Sequence, residues 1–314
     1  MIAANSCILL TDSLPPASMA AELLKQLPKH APQLVQYFDQ CQSTIQSFPI
    51  HQSRCVAEEA WQIEQGQWHS AKAKHNAALA LLLAQQQQKS LTPAHKPFWL
   101  VELVHIAPAR DGAALIPASD LHIDQAHSQQ LLQSAQSLCE GTPFQLQPWS
   151  TTHWQLHTNI DLPAHFASSA LVSRTAVNAW WDQDHATRDW RRFVNELQML
   201  YFDHPVNQQR QSQGLAAVNS LWPLGGLAPS AWQADNVPLR LATLSDAALR
   251  QDWGLWLHQL QDLEKTLMPL LAHSPTLVLS NLEHIMTLTP ATPRFWQRFF
   301  PSTPTWRNHW LAQS

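Results

Sequence analysis

Apolar residues along this chain fall in two rhythms, short unbroken runs and longer stretches at helical spacing, and their alternation predicts a mixed α/β fold. Cys7 to Leu10 reads as a buried strand that delivers Thr11, Asp12 and Ser13 beyond its carboxyl end, where open α/β sheets bind ligands. Pro15 and Pro16 stop it. Ser18 then stands where it can cap a helix through Ala20, Leu23, Leu24 and Leu27, and a second helix is expected over residues 32–42. Residues 54–65 and 75–89 are helix-like, the latter ending in the glutamine run 85–88, read as a solvated helix end.

Residues 98–106 alternate as a strand does, the turn Ala109-Arg110-Asp111-Gly112 suits a hairpin, and 113–116 returns beside it. A helix over 124–138, capped by Asp124 and ended by Gly141, precedes strands at 144–147 and 153–158. One long helix is expected over 177–202, with Trp180, Phe193, Leu197, Leu200 and Tyr201 toward the core; it must stop near His204 because Pro205 follows. Next come a strand at 218–221, a Gly225-Gly226 loop, a strand at 239–244 and an amphipathic helix from Ser245 through Leu267. Residues 276–280 form a second buried strand and 285–288 an edge. A tail with Trp296, Phe299, Phe300, Trp306 and Trp310 closes over the core. This order favours an α/β core carrying an inserted α+β unit.

Composition narrows the function classes. Charged residues make up 13% of the 314, about half the usual share, so long-range electrostatic steering is not the main tool. The net charge of −4 comes without a run of Lys or Arg, and the densest basic spot, Arg188, Arg191 and Arg192, is interrupted by Asp189 and Trp190. No nucleic-acid partner is expected. Cys7, Cys41, Cys55 and Cys139 show no metal-type spacing and read as reduced thiols. No stretch approaches the ~20 apolar residues of a membrane span, and the first residues lack a signal peptide's basic start, so no membrane partner and a cytoplasmic location are expected.

The densest polar segment is 195–226, NELQMLYFDHPVNQQRQSQGLAAVNSLWPLGG. If a new turn starts after His204-Pro205, Asn207 and Arg210 are three apart and share a face, where they could hold an oxyanion or a main-chain carbonyl. Asn219-Ser220 sits in a short strand before Gly225 and Gly226, whose N–H groups could approach a ligand closely. The alternative is that these asparagines fasten turns and Arg210 braces two elements.

The stretch HPVNQQRQSQGLAAVNSLWPLGGLAP resembles the bacterial RpfE-type regulatory proteins, a family also labelled cofactor-independent phosphoglycerate mutase. FWLVELVHIAPARDGAAL, with its Val104-His105 pair, extends the likeness, which covers residues 98–229. The order of an Asp-Gly turn, a helix, Asn-x-x-Arg and an Asn before a glycine pair is similar to the inserted domain of archaeal-type phosphoglycerate mutases. The resemblance implies an alkaline-phosphatase-like α/β core, its sheet covered by helices on both faces, over residues 1–92 and 230–314, with an inserted α+β domain over 93–229.

A mutase of that class needs two divalent metals, Mn or Mg, and a transiently phosphorylated Ser or Thr. Asp12 matches the family's first metal-binding Asp; Glu283 and His284 are the other candidate ligands, although they stand where the pattern has an Asp-His pair. None of Ser13, Ser18, Ser43 and Thr44 has the context of a nucleophile. His122-x-Asp124-x-x-His127 and His153-x-x-x-His157 could also ligate metal, the plainer reading being core or surface histidines. No nucleotide-binding or hydrolase motif is present.

Three functions follow as expectations. The first is a catalytically degenerate protein that serves in regulation or binds a small phosphorylated or carboxylated metabolite, with no cofactor. Its ligand residues would be His204, Asn207, Arg210, Asn219, Ser220, Gly225 and Gly226, with Arg210 as anion clamp. The second is a working metal-dependent phosphoryl-transfer enzyme, with Asp12, Glu283 and His284 as ligands. The third is a structural or partner-binding protein in which the polar segment staples the fold.

Overall fold

The computed structural model describes residues 7–68, 74–89, 91, 94–110, 112–233, 237–291 and 305–312. Its first strands are β1 (Cys7–Leu10), β2 (Cys41–Ser47), β3 (Gln67–Trp68), β4 (Trp99–Ala109), β5 (Gly112–Ile116) and β6 (Phe144–Pro148). Then come β7 (His153–Thr158), β8 (Ser220–Gly225), β9 (Trp232–Gln233), β10 (Leu239–Leu241), β11 (Thr276–Ser280) and β12 (His284–Pro290). The helices begin with α1 (Ala17–His30), α2 (Pro32–Asp39), α3 (Ile50–Ser53), α4 (Ala57–Gln65), α5 (Leu79–Gln86) and α6 (Gln125–Leu138). They continue with α7 (Ser169–Val172), α8 (Val177–Trp180), α9 (Arg188–Phe202) and α10 (Pro205–Ser212), then α11 (Ser245–Leu249), α12 (Trp253–Leu271) and α13 (Trp306–Leu311). No helix among the described residues is long and apolar enough to cross a membrane.

The chain gathers into two compact units, one of residues 1–50, 56–61 and 236–314, the other of residues 51–55 and 62–235. Residues 62–92, expected in the first unit, group with the second. The reason is packing: Ala80 of α5 lies so close to β8 that a Cβ on Gly225 would stand 2.7 Å from it.

In the first unit the sheet runs β10-β1-β11-β12-β2. β1 pairs in parallel with β10 and β11, while β12 runs antiparallel to β11 and β2. Ile8, Leu10, Leu277, Leu279 and Met286 share one hydrophobic core with Leu27, Phe38, Trp256, Trp306 and Trp310 from the helices. Leu9, Val278 and Ile285 alternate onto the opposite face and are buried as well. Burial on both faces is why β1 and β11 read as unbroken apolar runs.

Polar groups fix the helices to that core. Glu264 of α12, only 6% exposed, accepts the N–H groups of Gln33 (2.7 Å) and Leu34 (2.8 Å), closing the N-terminus of α2 that no local side chain caps. Asp39, at the other end of α2, accepts from Trp306 Nε1 (2.7 Å) and Arg307 Nη1 (2.6 Å). Burial pushes against ionisation of Asp39, but these hydrogen bonds hold its carboxyl below the usual range.

The second unit is built on an antiparallel sheet, β5-β4-β7-β6, with β8 also paired to β4. Trp99, Val101 and Leu103 of β4 join Phe144, Trp154 and Leu221 in a core closed by α6 and α9 through Leu131, Trp190, Phe193 and Leu197. Asp124 caps α6 as expected, accepting His127 N–H at 2.7 Å.

Several expected elements take another form. Residues 41 and 42, expected to end the second helix, open strand β2, which pairs along its length with β12. Its Gln, Ser and Thr positions alternate toward solvent, the composition of a protected edge strand. β12, expected at an edge, therefore lies inside the sheet. The single helix over 177–202 is two, because Arg191 Nη1 and Thr187 Oγ1 bind the carbonyls of Asp182 and Asp184 and hold that stretch out of helical geometry. The helix expected from Ser245 breaks at Gln251 (φ 56°), and Asp252 starts α12 by accepting Leu255 N–H at 2.9 Å. α1 begins directly after Pro16 without a side-chain cap, so Ser18 lies in its first turn. The segment 75–89 opens as a tight turn over His75–Ala78 before α5. Gly225 ends β8 instead of lying in a loop. Asp111, Trp296, Phe299 and Phe300 lie outside the described residues.

Replacing Glu264 by Ala orphans two N–H groups and is expected to lower stability by about 1–3 kcal/mol in urea unfolding, with Glu264→Gln less damaging because its amide oxygen still accepts.

Candidate functional site

His204 stands outside the helices at the junction of α9 and α10. Its Nδ1 accepts Val206 N–H at 3.2 Å, so in the neutral ring the proton sits on Nε2, which donates to Ser134 Oγ at 2.8 Å. Burial pushes its pKa down, consistent with a neutral capping ring.

Asn207 and Arg210 share a face of α10 as their spacing predicts, and that face is turned into the second unit. Asn207 Nδ2 donates to the carbonyls of Tyr201 (2.9 Å) and Val218 (2.8 Å), and its Oδ1 accepts Val218 N–H (2.9 Å). Arg210 is 0% exposed. Its Nε donates to Ala216 O at 2.9 Å, Nη2 to Leu121 O and Nη1 to His122 O at 3.5 Å, with His127 Nδ1 3.4 Å from Nη1. Burial lowers its pKa and the Asp124 carboxylate opposes that shift. Between them, the two side chains tie α10 to the end of α9, to the strand leading into β8 and to the segment before α6. An anion reaching Arg210 would have to displace these carbonyls.

Asn219 pairs with β4 as a strand residue would: its Oδ1 accepts Ile106 N–H (2.8 Å) and its Nδ2 donates to Ile106 O (2.9 Å). The side-chain amide thus adds one rung to the ladder in which Asn219 N–H donates to Val104 O at 3.2 Å. Ser220 is fully buried in β8, its Oγ without a hydrogen-bond partner among the described residues. Gly226 N–H donates to Phe98 O at 2.9 Å. Gly225 (φ 112°) and Gly226 (φ 107°) serve close packing, since a Cβ would meet Phe98 O at 2.4 Å in the first and Trp99 at 2.7 Å in the second.

The metal candidates lie in the first unit. Asp12, at φ 55°, follows Thr11 just past β1; its N–H donates to Ser280 Oγ (3.3 Å) and its carbonyl accepts from Trp256 Nε1 (3.0 Å). Glu283 Oε1 accepts Ile50 N–H at 3.0 Å, and His284 N–H donates to Asn281 Oδ1 at 2.8 Å. Burial pushes the His284 pKa down against the pull of Glu283. Among the described residues no three His, Cys, Asp or Glu side chains gather into a metal-ligand set. Asp12, Glu283 and His284 are therefore not gathered into one three-ligand set, nor are the residues of either histidine motif.

Two neighbouring grooves of the second unit escape a reading by motif. The larger, about 580 Å³, runs between the β4–β5 hairpin and α9, with His105, Ile106, Gln198, Tyr201, Phe202 and Gln211 in its walls. The second, about 320 Å³, shares Ile106, Ala113 and Gln198 with it and adds Asn178, Trp181 and Asn195. Among the described residues no Asp, Glu, Lys or Arg lines either one. Of the expected ligand residues only Asn219 reaches this wall. His105 Nδ1 lies 2.8 Å from Ala217 O; a carbonyl only accepts, so the proton is on Nδ1 and Nε2 is left as an acceptor. The sequence signals for the groove were the Val104-His105 pair and the crowding of Asn and Gln between 195 and 211.

No protein-family model matches the chain, and no curated protein matches it by sequence. Among solved structures it is similar to the cofactor-independent phosphoglycerate mutase from Thermoplasma acidophilum, at 12% identity over 92% of this chain and 91% of that one, with a TM-score of 0.35. It is also similar to the PH0037 protein from Pyrococcus horikoshii, at 12% identity over 92% and 88%, with a TM-score of 0.43. At these scores neither likeness carries an argument about this chain.

Arg210→Ala is expected to lower stability by on the order of 3 kcal/mol, because it leaves buried carbonyls without donors; urea unfolding measures this. Burial also holds the pKa values of His153 and His204 down, Lys89 adding to the effect at His153 and Glu102 opposing it. Below about pH 6.5 the unfolded chain takes up protons that the folded rings refuse. Their contribution to stability is therefore whole above about pH 6.5 and is lost as the pH falls toward the folded values, which a pH series of melting temperatures between neutral and mildly acid buffer checks.

Proposed function

We propose that this chain is a non-catalytic binding protein with a regulatory role, a degenerate relative of the phosphoglycerate-mutase-like proteins its sequence resembles. One observation carries the reading: the guanidinium of Arg210, the side chain best suited to clamp a phosphate or carboxylate, is engaged by the carbonyls of Leu121, His122 and Ala216. The segment that gives the resemblance thus serves as a fold staple, and binding falls to the neighbouring groove. A small phosphorylated or carboxylated metabolite, the ligand the resemblance implies, finds no Lys or Arg among the described residues of that groove. A cytoplasmic location fits this role.

A second reading, a metal-dependent phosphoryl-transfer enzyme using Mn or Mg, draws support from Asp12. A non-glycine residue at φ 55° just past the carboxyl end of a parallel strand is the kind of strain that active sites hold.

The two readings separate in one sample. The binder reading expects purified protein supplied with Mn or Mg to carry no stoichiometric pair of divalent ions by elemental analysis and to leave phosphoglycerate isomers unconverted. Turnover that disappears in Asp12→Asn would establish the enzyme instead.

A further inference from the structure

We infer that the amide-lined groove of the second unit binds an extended, uncharged stretch of polypeptide, held through its main-chain N–H and C=O groups. The inference rests on the binder reading and names the chemistry of the partner. Its first support is size and charge. Grooves of about 580 and 320 Å³ fall in the range of ligand sites, and their described walls, lined by amides, an imidazole and apolar side chains, suit a neutral ligand.

The second support is the kind of hydrogen bond this unit already makes. Asn219 pairs both ends of its amide with Ile106 N–H and O, Asn207 does so with Val218, and Asn178 Oδ1 accepts Ala113 N–H at 3.0 Å. In the same walls the amides of Asn195, Gln198 and Gln211 bond no described residue. A primary amide carries a donor and an acceptor side by side, and once covered it needs both satisfied. A peptide group supplies the matching pair. Nε2 of His105, left as an acceptor, takes a further main-chain N–H.

The third support is the rim. Phe202 lines the larger groove yet is 79% exposed, and Met199 one turn away on α9 is 80% exposed. Apolar side chains of a bound peptide would cover such residues. Sugar recognition fits less well, for among the described residues no carboxylate lines the groove to hold paired hydroxyls. The ring of Trp181 lies 5.7 Å from that of Trp222 and tilted against it, so one face is already in use.

The test is calorimetric titration with N-acetylated, C-amidated peptides of Ala, Val, Ser, Asn and Gln. The proposal expects saturable binding that changes little between low and high salt. It expects Gln198→Ala and Gln211→Ala each to weaken binding about fivefold or more while circular dichroism stays as in the parent protein. Absence of binding, equal binding by both folded variants, suppression by salt, or preference for neutral oligosaccharides would each overturn it. Failure with peptides alongside thermal protection by another small molecule overturns this inference and leaves the binder reading standing. Phosphoglycerate turnover overturns the binder reading whatever the peptides do.

Discussion

A guanidinium that cannot shed its proton sits in the dry interior of the second unit, and much of that unit is arranged around it. Arg210 is always charged, so burying it demands acceptors on every side it faces. Backbone carbonyls at 121, 122 and 216 meet that demand, and they come from two separate stretches of chain. The same cation that could clamp a ligand therefore fixes where the chain turns before α6 and before β8. Asn207, on the neighbouring turn of α10, completes the fastening with neutral hydrogen bonds. An interior tied by polar groups is specific because every partner must be in place at once.

Much of this could be read from sequence, and the parts that could not share a cause. β1 and β11 were legible because both of their faces are buried, and the cap of α6 because Asp124 stands alone before an apolar period. β2 was hidden because an edge strand carries Gln, Ser and Thr where a central strand would carry Val or Ile. The division of α8 from α9 was hidden because it depends on Arg191 reaching back to carbonyls, which no periodicity reports. For the candidate site, spacing placed Asn207 and Arg210 on one face, but spacing cannot say whether a face points out or in. The groove joins His105 with Gln198 and Gln211, distant in sequence, so only the folded sheet brings them together.

Asn219 illustrates how the second unit treats its own backbone. Val104 and Ile106 direct their main-chain groups toward β8, and the period of two places Pro108 on the same edge. Asn219 closes the last open rung and Pro108 has no N–H to offer beyond it. That edge of β4 is therefore sealed against another strand, and contact with a partner falls to side chains.

The strand order of the first unit sets a sequence of events in time. β1 lies inside the sheet, flanked by β10 and β11, which come from the far part of the chain. During synthesis the second unit's strands are all available before either of those neighbours emerges. β1 and the apolar faces of α1 and α2 must therefore wait with their partners unmade, exposed to unwanted association. Long-range pairing of this kind closes late and slowly, so β1 is among the last strands to be paired although it precedes the others in the chain.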